Sequence, residues 1–272
     1  MLAGMEARSE RRTMREPVAV ERSAAGVLRV RIDRPEKRNA LSRACLAALG
    51  AAFAAHASDP ELKAAVLTGA GEKAFAAGGD LREFAALRSA DEADALFRGA
   101  RDALDEVRRF PVPVVAALNG LAVGGGAELA LACDFRVAAA HASIGYVQGR
   151  LNISTGFGGG TDLMRLLGPS RGLLFALRAD VLSAEAARAA GLVDEVARSG
   201  EPLEACVERF LAPLLRQAPQ VIRSYKAMAL TERERAAAEA ARAVELEGFV
   251  RTWVHPDHWA AADAVLRKEA RA

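Results

Sequence analysis

The chain has 272 residues, which is enough for one large domain, or a domain with an appendage, that buries a sizeable core. Its 37 basic and 35 acidic residues leave a formal charge of +2, which gives no electrostatic case for binding nucleic acid or an acidic membrane. No apolar run has the length of a membrane span, and no secretory signal is recognisable, so we expect a cytoplasmic protein. The three cysteines lie far apart in apolar segments and are expected to be buried thiols, and the four histidines lack metal-ligand spacing.

The N-terminal part of the chain predicts a tail, two strands, a helix and a third strand. Residues 1–16 are polar and aperiodic, as expected of a flexible tail. Residues 18–21 and 27–33 predict strands joined by a turn, and the second alternates apolar with charged residues in the manner of a half-exposed strand. Ser42 is a suitable N-cap for a helix that reaches about residue 57, and a buried strand is predicted at 62–68.

The next segment contains a turn of small residues and a long helix. Residues 75–81 predict a turn that leads into a helix, with Asp80 near the helix start, where a negative charge is favoured. Residues 87–93 are polar and are expected to be mobile. A helix is predicted at 94–110, followed by a buried strand at 112–118.

Residues 119–134 contain three consecutive glycines, at positions 124–126, followed by an apolar helix with Glu128 in its first turn. A glycine at a strand-to-helix junction lets a substrate approach the backbone closely, and the first helical amides lack partners within the helix. Such amides stabilise a developing negative charge, and a carboxylate one turn away suits proton transfer beside a carbonyl. The competing interpretation is tight helix packing with Glu128 on the solvated surface.

The remainder alternates strands and helices and then becomes entirely helical. Strands are predicted at 134–138, 142–146 and 191–196, and helices at 156–167, 170–177 and 184–190. From residue 202 onward the pattern is helical, which predicts an α/β core with an all-α C-terminal part. Two features stand out there: Lys226 on an apolar helix, and a cluster formed by Trp253, His255, His258 and Trp259. A hydrophobic anchor for the last helix is the simpler interpretation of the cluster.

Residues 34–41, 73–81, 119–134, 156–159 and 187–194 together resemble the crotonase (enoyl-CoA hydratase/isomerase) superfamily. The resemblance covers roughly residues 18–230. It implies ββα units wound as a spiral over residues 17–200 and a C-terminal helical domain over residues 201–272 that forms a homotrimer or homohexamer. It also implies coenzyme A thioester substrates without a metal or other cofactor.

The resemblance further implies which residues form the site. The backbone amides of Gly79 and Gly125 are expected to stabilise a thioester enolate, since each donor contributes several kcal/mol in a transition state. Lys37 and Arg38, with the backbone near Ala77, are expected to contact the nucleotide end of coenzyme A. A solvated charged loop is the alternative for Lys37 and Arg38.

One position departs from the hydratases of this superfamily, which use two glutamates. Glu128 matches the first, but the second position is Gln148, which has no proton to exchange near neutral pH. Gln148 can still orient a substrate. Together with its neighbours Tyr146 and Arg150, it suggests a site for a polar or negative group on the acyl part.

Decarboxylation of a short 2-alkylmalonyl-CoA is the leading functional hypothesis, because it needs an enolate-stabilising site but no strong base. Residues 127–136, 144–148 and 245–253 are loosely similar to the ethylmalonyl/methylmalonyl-CoA decarboxylase branch, and Arg150 would attract the substrate carboxylate. The first alternative is an enoyl-CoA hydratase or isomerase that uses Glu128 as its single acid/base. The second alternative is a binding subunit without catalysis.

Overall fold

The computed structural model describes residues 16–235 and 238–270, so the predicted tail lies outside the described residues except for Glu16. The strands are β1 (Val18–Arg22), β2 (Val27–Ile32), β3 (Ala64–Gly69), β4 (Ala74–Ala76), β5 (Val114–Leu118), β6 (Leu121–Val123), β7 (Phe135–Ala138), β8 (Ser143–Gly145), β9 (Val181–Ser183) and β10 (Glu195–Val196). The helices are α1 (Arg43–His56), α2 (Leu81–Phe84), α3 (Ala90–Arg108), α4 (Gly125–Ala132), α5 (Gly159–Leu167), α6 (Pro169–Arg178), α7 (Ala184–Ala189), α8 (Leu203–Leu215), α9 (Pro219–Arg235), α10 (Ala238–Trp253) and α11 (Pro256–Glu269).

The strands form two sheets, and the chain passes repeatedly from the first to the second. The first sheet has the order β1-β2-β3-β5-β7-β10, and the second has the order β4-β6-β8-β9. Only β1 with β2 and β8 with β9 pair antiparallel among the described strands. Each of β3, β5 and β7 is followed by a short strand of the second sheet and then by helix. This is the predicted spiral of ββα units, and the α/β fold class is confirmed.

The first sheet is covered on both faces, because its strands present apolar side chains to two separate cores. The larger core includes Leu28, Val30 and Leu67 and packs against α1 and α3. The smaller core includes Val66 and Val115 and packs against α8. The alternation predicted for β2 is confirmed, since Arg29 and Arg31 are its less buried positions. The predicted domain boundary at residue 200 falls just before α8.

Two predicted boundaries were wrong, each for a local reason. The segment 87–93 was expected to be mobile, but α3 begins at Ala90, because Ser89 and Glu92 form a reciprocal capping box. No strand was predicted between β5 and the glycine run, but β6 lies there. The chain changes sheets at Gly120, where a Cβ would lie 2.5 Å from the Lys73 backbone.

Asn119 links the two sheets at this crossing. Its Nδ2 donates to the carbonyls of Gly71 at 2.6 Å and Ala74 at 3.0 Å. Its Oδ1 accepts from the Gly69 amide at 3.0 Å and from the Thr68 hydroxyl at 3.3 Å. The side chain is buried, so its amide satisfies backbone groups that water does not reach.

Replacing Asn119 with Ala is therefore expected to destabilise the fold by about 2–4 kcal/mol, because several buried backbone groups lose their partner. Urea unfolding measures the change. Thr231→Ala is the control, since Thr231 is exposed on α9 and donates only to its own helix, to the Ala227 carbonyl. A loss below about 0.5 kcal/mol in Asn119→Ala would contradict the assigned role of the side chain.

Candidate functional site

A largely apolar cavity lies between the start of α4, the loop before α2, the segment 147–157 and the C-terminal helix α10. Its empty volume is about 590 Å³, including the open mouth. Its wall consists of Ala77, Gly78, Gly79, Leu81, Phe84, Leu96, Gly124, Gly125, Glu128, Val147, Gln148, Leu151, Ile153, Ser154, Gly156, Phe157, Phe249 and Trp253. Among the described residues, Glu128 is the only titratable side chain in this wall.

Gly79 and Gly125, predicted from distant motifs, both line the cavity. Their amides donate no hydrogen bond within the described part of the chain. Gly125 is the first residue of α4, so its amide is one of those that a helix leaves without an internal partner. The structure thus brings two unbonded backbone donors to one cavity.

The backbone around these donors requires glycine. Gly124 has φ 55° and ψ −125°, a conformation that side-chain-bearing residues rarely adopt. A Cβ on Gly125 would lie 2.4 Å from Cε2 of Phe157. A Cβ on Gly79 would lie 2.5 Å from Cε2 of Phe84 and 3.7 Å from Cζ of Phe157. The Phe157 ring therefore lies against both glycines, and the site has no room for larger residues there.

The Glu128 carboxylate is buried and accepts four hydrogen bonds. Oε1 accepts from Nε2 of Gln148 at 2.8 Å and from the Gly156 amide at 3.2 Å. Oε2 accepts from the amides of Phe157 at 2.8 Å and Gly159 at 2.9 Å. A carboxylate has about four lone-pair positions, so the protein occupies all of them. The interpretation of Glu128 as a solvated surface residue is wrong.

Opposing effects act on the protonation of Glu128. Burial raises the pKa of its carboxyl, the negative charge of Glu245 raises it further, and the resulting value is about 7. Hydrogen bonds from Gly159, Phe157 and Gln148 favour the ionised form and partly offset burial. The carboxyl can therefore exchange a proton near neutral pH, as a general acid or base requires.

Gln148 lies beside Glu128 with one side of its amide unused. The residue is the first of a short 3₁₀ helix, Gln148–Leu151, and is buried. Nε2 donates to Glu128, whereas Oε1 is buried and has no hydrogen-bond partner among the described residues. An orphaned buried acceptor costs free energy unless a ligand or water donates to it. Gln148 thus offers an acceptor next to the carboxylate.

The loop expected to bind the nucleotide end of coenzyme A lies next to the Ala77 strand end. The Ala77 amide donates to the Arg38 carbonyl at 3.1 Å, and Ala77 lines the cavity. Lys37 is half exposed, and its Nζ lies 3.2 Å from Oδ2 of Asp80, which also accepts from Arg34 at 2.8 Å. Asp80 caps α2, as predicted. The loop is thereby joined to the turn that carries Gly79, and its coenzyme A contacts stay a prediction.

Tyr146 and Arg150 do not line the cavity. The Tyr146 ring is buried, and its hydroxyl donates to the Gly159 carbonyl at 2.9 Å, which supports the turn that holds Glu128. Arg150 is exposed. Their predicted contacts with substrate gain no support from these positions, because neither side chain belongs to the wall.

Three residues from α10 were not predicted as part of the site, although Trp253 had been noted in the C-terminal aromatic cluster. Phe249 and Trp253 form part of the cavity wall, with ring centroids 5.2 Å apart. The Glu245 carboxylate accepts from the Gly160 amide at 2.9 Å and from the Thr161 hydroxyl at 2.8 Å, at the start of α5. The only signal available was an apolar and acidic helical pattern, which any packed helix shares.

The C-terminal aromatic cluster also anchors the chain over the cavity. Trp253 donates through Nε1 to the Leu87 carbonyl at 2.7 Å, and Nδ1 of His258 lies 2.7 Å from the Leu151 carbonyl. His258 is buried, which lowers its pKa. The anchor interpretation of the cluster is confirmed.

Lys226, the other feature noted in the C-terminal part of the sequence, is buried with its Nζ 2.6 Å and 2.5 Å from the two carboxylate oxygens of Asp134.

Three further features concern the cysteines, possible metal ligands and long apolar helices. All three cysteines are buried and free, as predicted. Residues 16–235 and 238–270 contain no group of three His, Cys, Asp or Glu side chains that could hold a metal ion. In the same ranges no helix is long and apolar enough to cross a membrane.

Comparison with known proteins identifies the family of the chain. A family model described as enoyl-CoA hydratase/isomerase matches residues 22–265. A crotonyl-CoA hydratase of Syntrophomonas wolfei is 34% identical over 237 residues, which cover 87% of this chain and 90% of that protein. A carnitinyl-CoA dehydratase of Salmonella typhi is 39% identical over 200 residues, which cover 74% of this chain and 75% of that protein.

Solved structures show similarity to the same family. An enoyl-CoA hydratase/isomerase from Xanthobacter autotrophicus Py2 superposes with a TM-score of 0.83 at 26% identity and 94% coverage of both chains. An enoyl-CoA hydratase from Bacillus anthracis gives 0.75 at 31% identity, covering 93% of this chain and 96% of that one. The predicted superfamily is confirmed. The chain belongs to the enoyl-CoA hydratase/isomerase family of crotonase-fold enzymes, which process acyl-CoA thioesters.

Proposed function

We propose that this protein catalyses the reversible hydration of a short 2-enoyl-CoA thioester, with Glu128 as its single acid/base. The observation that carries the proposal is the composition of the cavity wall. In the described part of the chain, that wall has one titratable side chain, with a pKa near neutrality, beside two glycines with unbonded amides. The hydratases among the relatives support the same chemistry.

In the proposed mechanism, the amides of Gly79 and Gly125 hold the thioester oxygen. Water attacks the β carbon, the electrons of the double bond move toward the thioester, and the resulting enolate oxygen accepts from both amides. Glu128 takes the proton that water loses and returns it to the α carbon. One carboxylate is sufficient, because the proton that it accepts is the one that it donates, and the net change is the addition of one water molecule.

Gln148 has a defined part in this mechanism. Its unpartnered Oε1 would accept a hydrogen bond from the attacking water next to Glu128. All lone pairs of Glu128 are occupied, so one donor must withdraw before a proton can bind, and Gln148 is the only side-chain donor of the four. A rotated amide would present Oε1 to the protonated carboxyl, so Gln148 can pair with both protonation states of Glu128.

Isomerisation is the second candidate, favoured by the same lone carboxylate. Glu128 would remove a proton from the α carbon of a 3-enoyl-CoA and return it to the γ carbon through the same enolate. One relative, of Mycosarcoma maydis, is named an isomerase/hydratase and is 36% identical over 230 residues. Isomerisation needs no positioned water, whereas the free Gln148 acceptor favours hydration.

Decarboxylation has less support from the cavity. Among the described residues, its wall contains no Lys, Arg or His to hold a malonyl carboxylate. An ionised Glu128 would repel that carboxylate at close range. Arg150, which was expected to attract it, is exposed and outside the wall. The decarboxylase hypothesis therefore stays a prediction with a direct test.

The purified protein should be incubated separately with crotonyl-CoA, a 3-enoyl-CoA and methylmalonyl-CoA. We expect loss of the conjugated-thioester absorbance and formation of 3-hydroxybutyryl-CoA from the first substrate. Gain of that absorbance from the second would support isomerisation instead, and carbon dioxide from the third would support decarboxylation. Failure to turn over crotonyl-CoA would overturn the hydratase proposal.

The pH dependence of kcat should follow the ionisation of the Glu128 carboxyl. Hydration needs the ionised form, so the rate is expected to rise with pH through about 7. Gln148→Leu removes a hydrogen-bond donor that favours the ionised carboxylate, and it should move this rise in rate to higher pH. Glu245→Gln removes a negative charge that raises the pKa and should move it to lower pH. Rate profiles from about pH 5 to about pH 9 measure both shifts, and shifts in one common direction would contradict the assignment.

We also propose that the chain forms a homotrimer or homohexamer. Leu173, Leu174 and Leu177 on α6 are 52%, 55% and 75% exposed, which is a clustered apolar surface that a second copy could cover. Size-exclusion chromatography with light scattering is expected to give three or six chain masses. A monomer at micromolar concentration would contradict the proposal.

A further inference from the structure

A second pocket, lined mainly by guanidinium groups, lies where α3, α5, α9 and α10 meet. Its wall includes six arginines and three carboxylates among the described residues, a formal surplus of three positive charges. The arginines are Arg101, Arg108, Arg109, Arg165, Arg233 and Arg242. The pocket shares no lining residue with the substrate cavity.

The carboxylates of this pocket are already engaged. The buried Asp162 accepts from Nε of Arg108 at 2.8 Å and from Nη2 of Arg233 at 3.2 Å. Asp105 accepts from Nη1 of Arg108 at 2.7 Å. Glu234 accepts from Nε of Arg109 at 3.3 Å. Because each of the three acids serves at least one guanidinium, the surplus charge has no counter-charge among the described residues of the pocket wall.

Arg101 is the clearest source of the surplus positive charge. Its side chain is 12% exposed, and its Nε lies 3.6 Å from Oδ2 of Asp105, beyond hydrogen-bond distance. Its Nη1 is buried and has no hydrogen-bond partner in the part of the chain that the structure describes. Arg165, exposed on α5, makes no ion pair within the described residues. Two guanidiniums of the pocket thus have donors available to a ligand.

We propose that this pocket binds a small oxyanion of the phosphate class. Guanidinium forks match the oxygens of such an anion with paired, charge-assisted hydrogen bonds. The empty space of about 370 Å³ includes open solvent, so the anion binds at the mouth of the pocket, where Arg165 is exposed. The anion satisfies Nη1 of Arg101 and neutralises part of the surplus charge.

The bound anion lies close to the turn that holds Glu128. Gly158 lines the pocket between the two residues whose amides hold Oε2 of Glu128, Phe157 and Gly159. A Cβ on Gly158 would lie 2.8 Å from Nη1 of Arg101, so that the guanidinium packs directly on the turn.

Thermal unfolding of the full chain in sodium phosphate and in sodium chloride of equal ionic strength tests the proposal. A phosphate concentration about ten times Kd is expected to raise Tm by roughly 3 °C over chloride. Titration calorimetry with inorganic phosphate should show Arg101→Gln and Arg165→Gln binding at least about tenfold more weakly. Arg98→Gln is the matched control, because Arg98 is exposed on the same helix and lies outside the pocket.

Equal Tm values in phosphate and chloride would overturn the proposal, as would wild-type phosphate affinity in both variants. Arg165 is exposed, so Arg165→Gln keeps the test valid if Arg101→Gln fails to fold. Competition between phosphate and crotonyl-CoA would assign the pocket to a coenzyme A phosphate, and its absence would assign it to the free ion. These readouts do not depend on turnover, so the result is separate from that of the proposed hydratase activity.

Discussion

Glu128→Gln is expected to lower kcat for crotonyl-CoA hydration by about 10²–10⁴-fold, because it removes the single proton carrier of the cavity. KM should change little, since the thioester oxygen and acyl chain bind to other groups. Initial rates of hydration with the purified variant measure both constants. The substitution also places an amide NH₂ against backbone donors from Gly156, Phe157 and Gly159, so some loss of stability is expected.

Thermal unfolding separates the loss of a proton carrier from a loss of structure. Glu247→Gln is the matched control, because Glu247 is exposed on α10 and lies outside the cavity wall. It should keep the wild-type rate. A Glu128→Gln protein with wild-type Tm that still hydrates crotonyl-CoA within about tenfold of the normal rate would exclude Glu128 as the general acid/base.

Gly125→Ala is expected to reduce kcat by about 10²–10³-fold through loss of one of the two enolate-binding amides. The new Cβ would lie 2.4 Å from Cε2 of the buried Phe157, so the start of α4 must shift or the ring must move. An amide displaced from the developing oxyanion acts on the transition state more than on the bound substrate. Steady-state kinetics should therefore show the effect in kcat with a smaller change in KM.

Two further variants test whether displacement of the Gly125 amide causes the loss of kcat. Gly99→Ala adds the same methyl group on α3, where nothing lies within 4 Å of the new Cβ, and should leave kcat unchanged. Combining Gly125→Ala with Phe157→Ala removes the clashing ring and should recover part of the lost rate. Equal rates for Gly125→Ala and the wild-type protein would show that the Gly125 amide does not act on the enolate.

The sequence was most informative for helices and strands that are long enough to show a hydrophobic period. β2, α1 and α7 agree closely with their predicted limits, since apolar spacing and capping residues act within one element. The second sheet was the least predictable part: a strand was predicted at 142–146, where β8 lies, but none at β4, β6 or β9, which have three residues each and show no resolvable hydrophobic period. Their positions depend on pairing with strands distant in the chain.

The residues of the candidate site likewise fall into those that the sequence predicted correctly and those that it did not. Gly79, Gly125 and Glu128 were identified from motifs at the starts of helices, and the structure brings them to one cavity. Arg150 was grouped with Gln148 from its position in sequence, yet its side chain is exposed. Neighbours in a 3₁₀ helix point in different directions, so sequence proximity did not predict a shared cavity.

The sequence by itself determined the chemical identity of the reacting groups. It contains a carboxylate at position 128, an amide without an exchangeable proton at position 148, and glycines where backbone donors must be approached closely. These are properties of single residues and their immediate neighbours in the chain.

Only the tertiary structure decided what those groups can do. The pKa of Glu128 is raised to about 7 because folding buries it and places Glu245 of α10 nearby, while hydrogen bonds from the amides of Phe157 and Gly159 partly offset these effects. The absence of a cation from the described cavity wall likewise depends on side-chain direction. Electrostatic and hydrogen-bonding effects act through space over a few ångströms, and the residues responsible are distant in the chain.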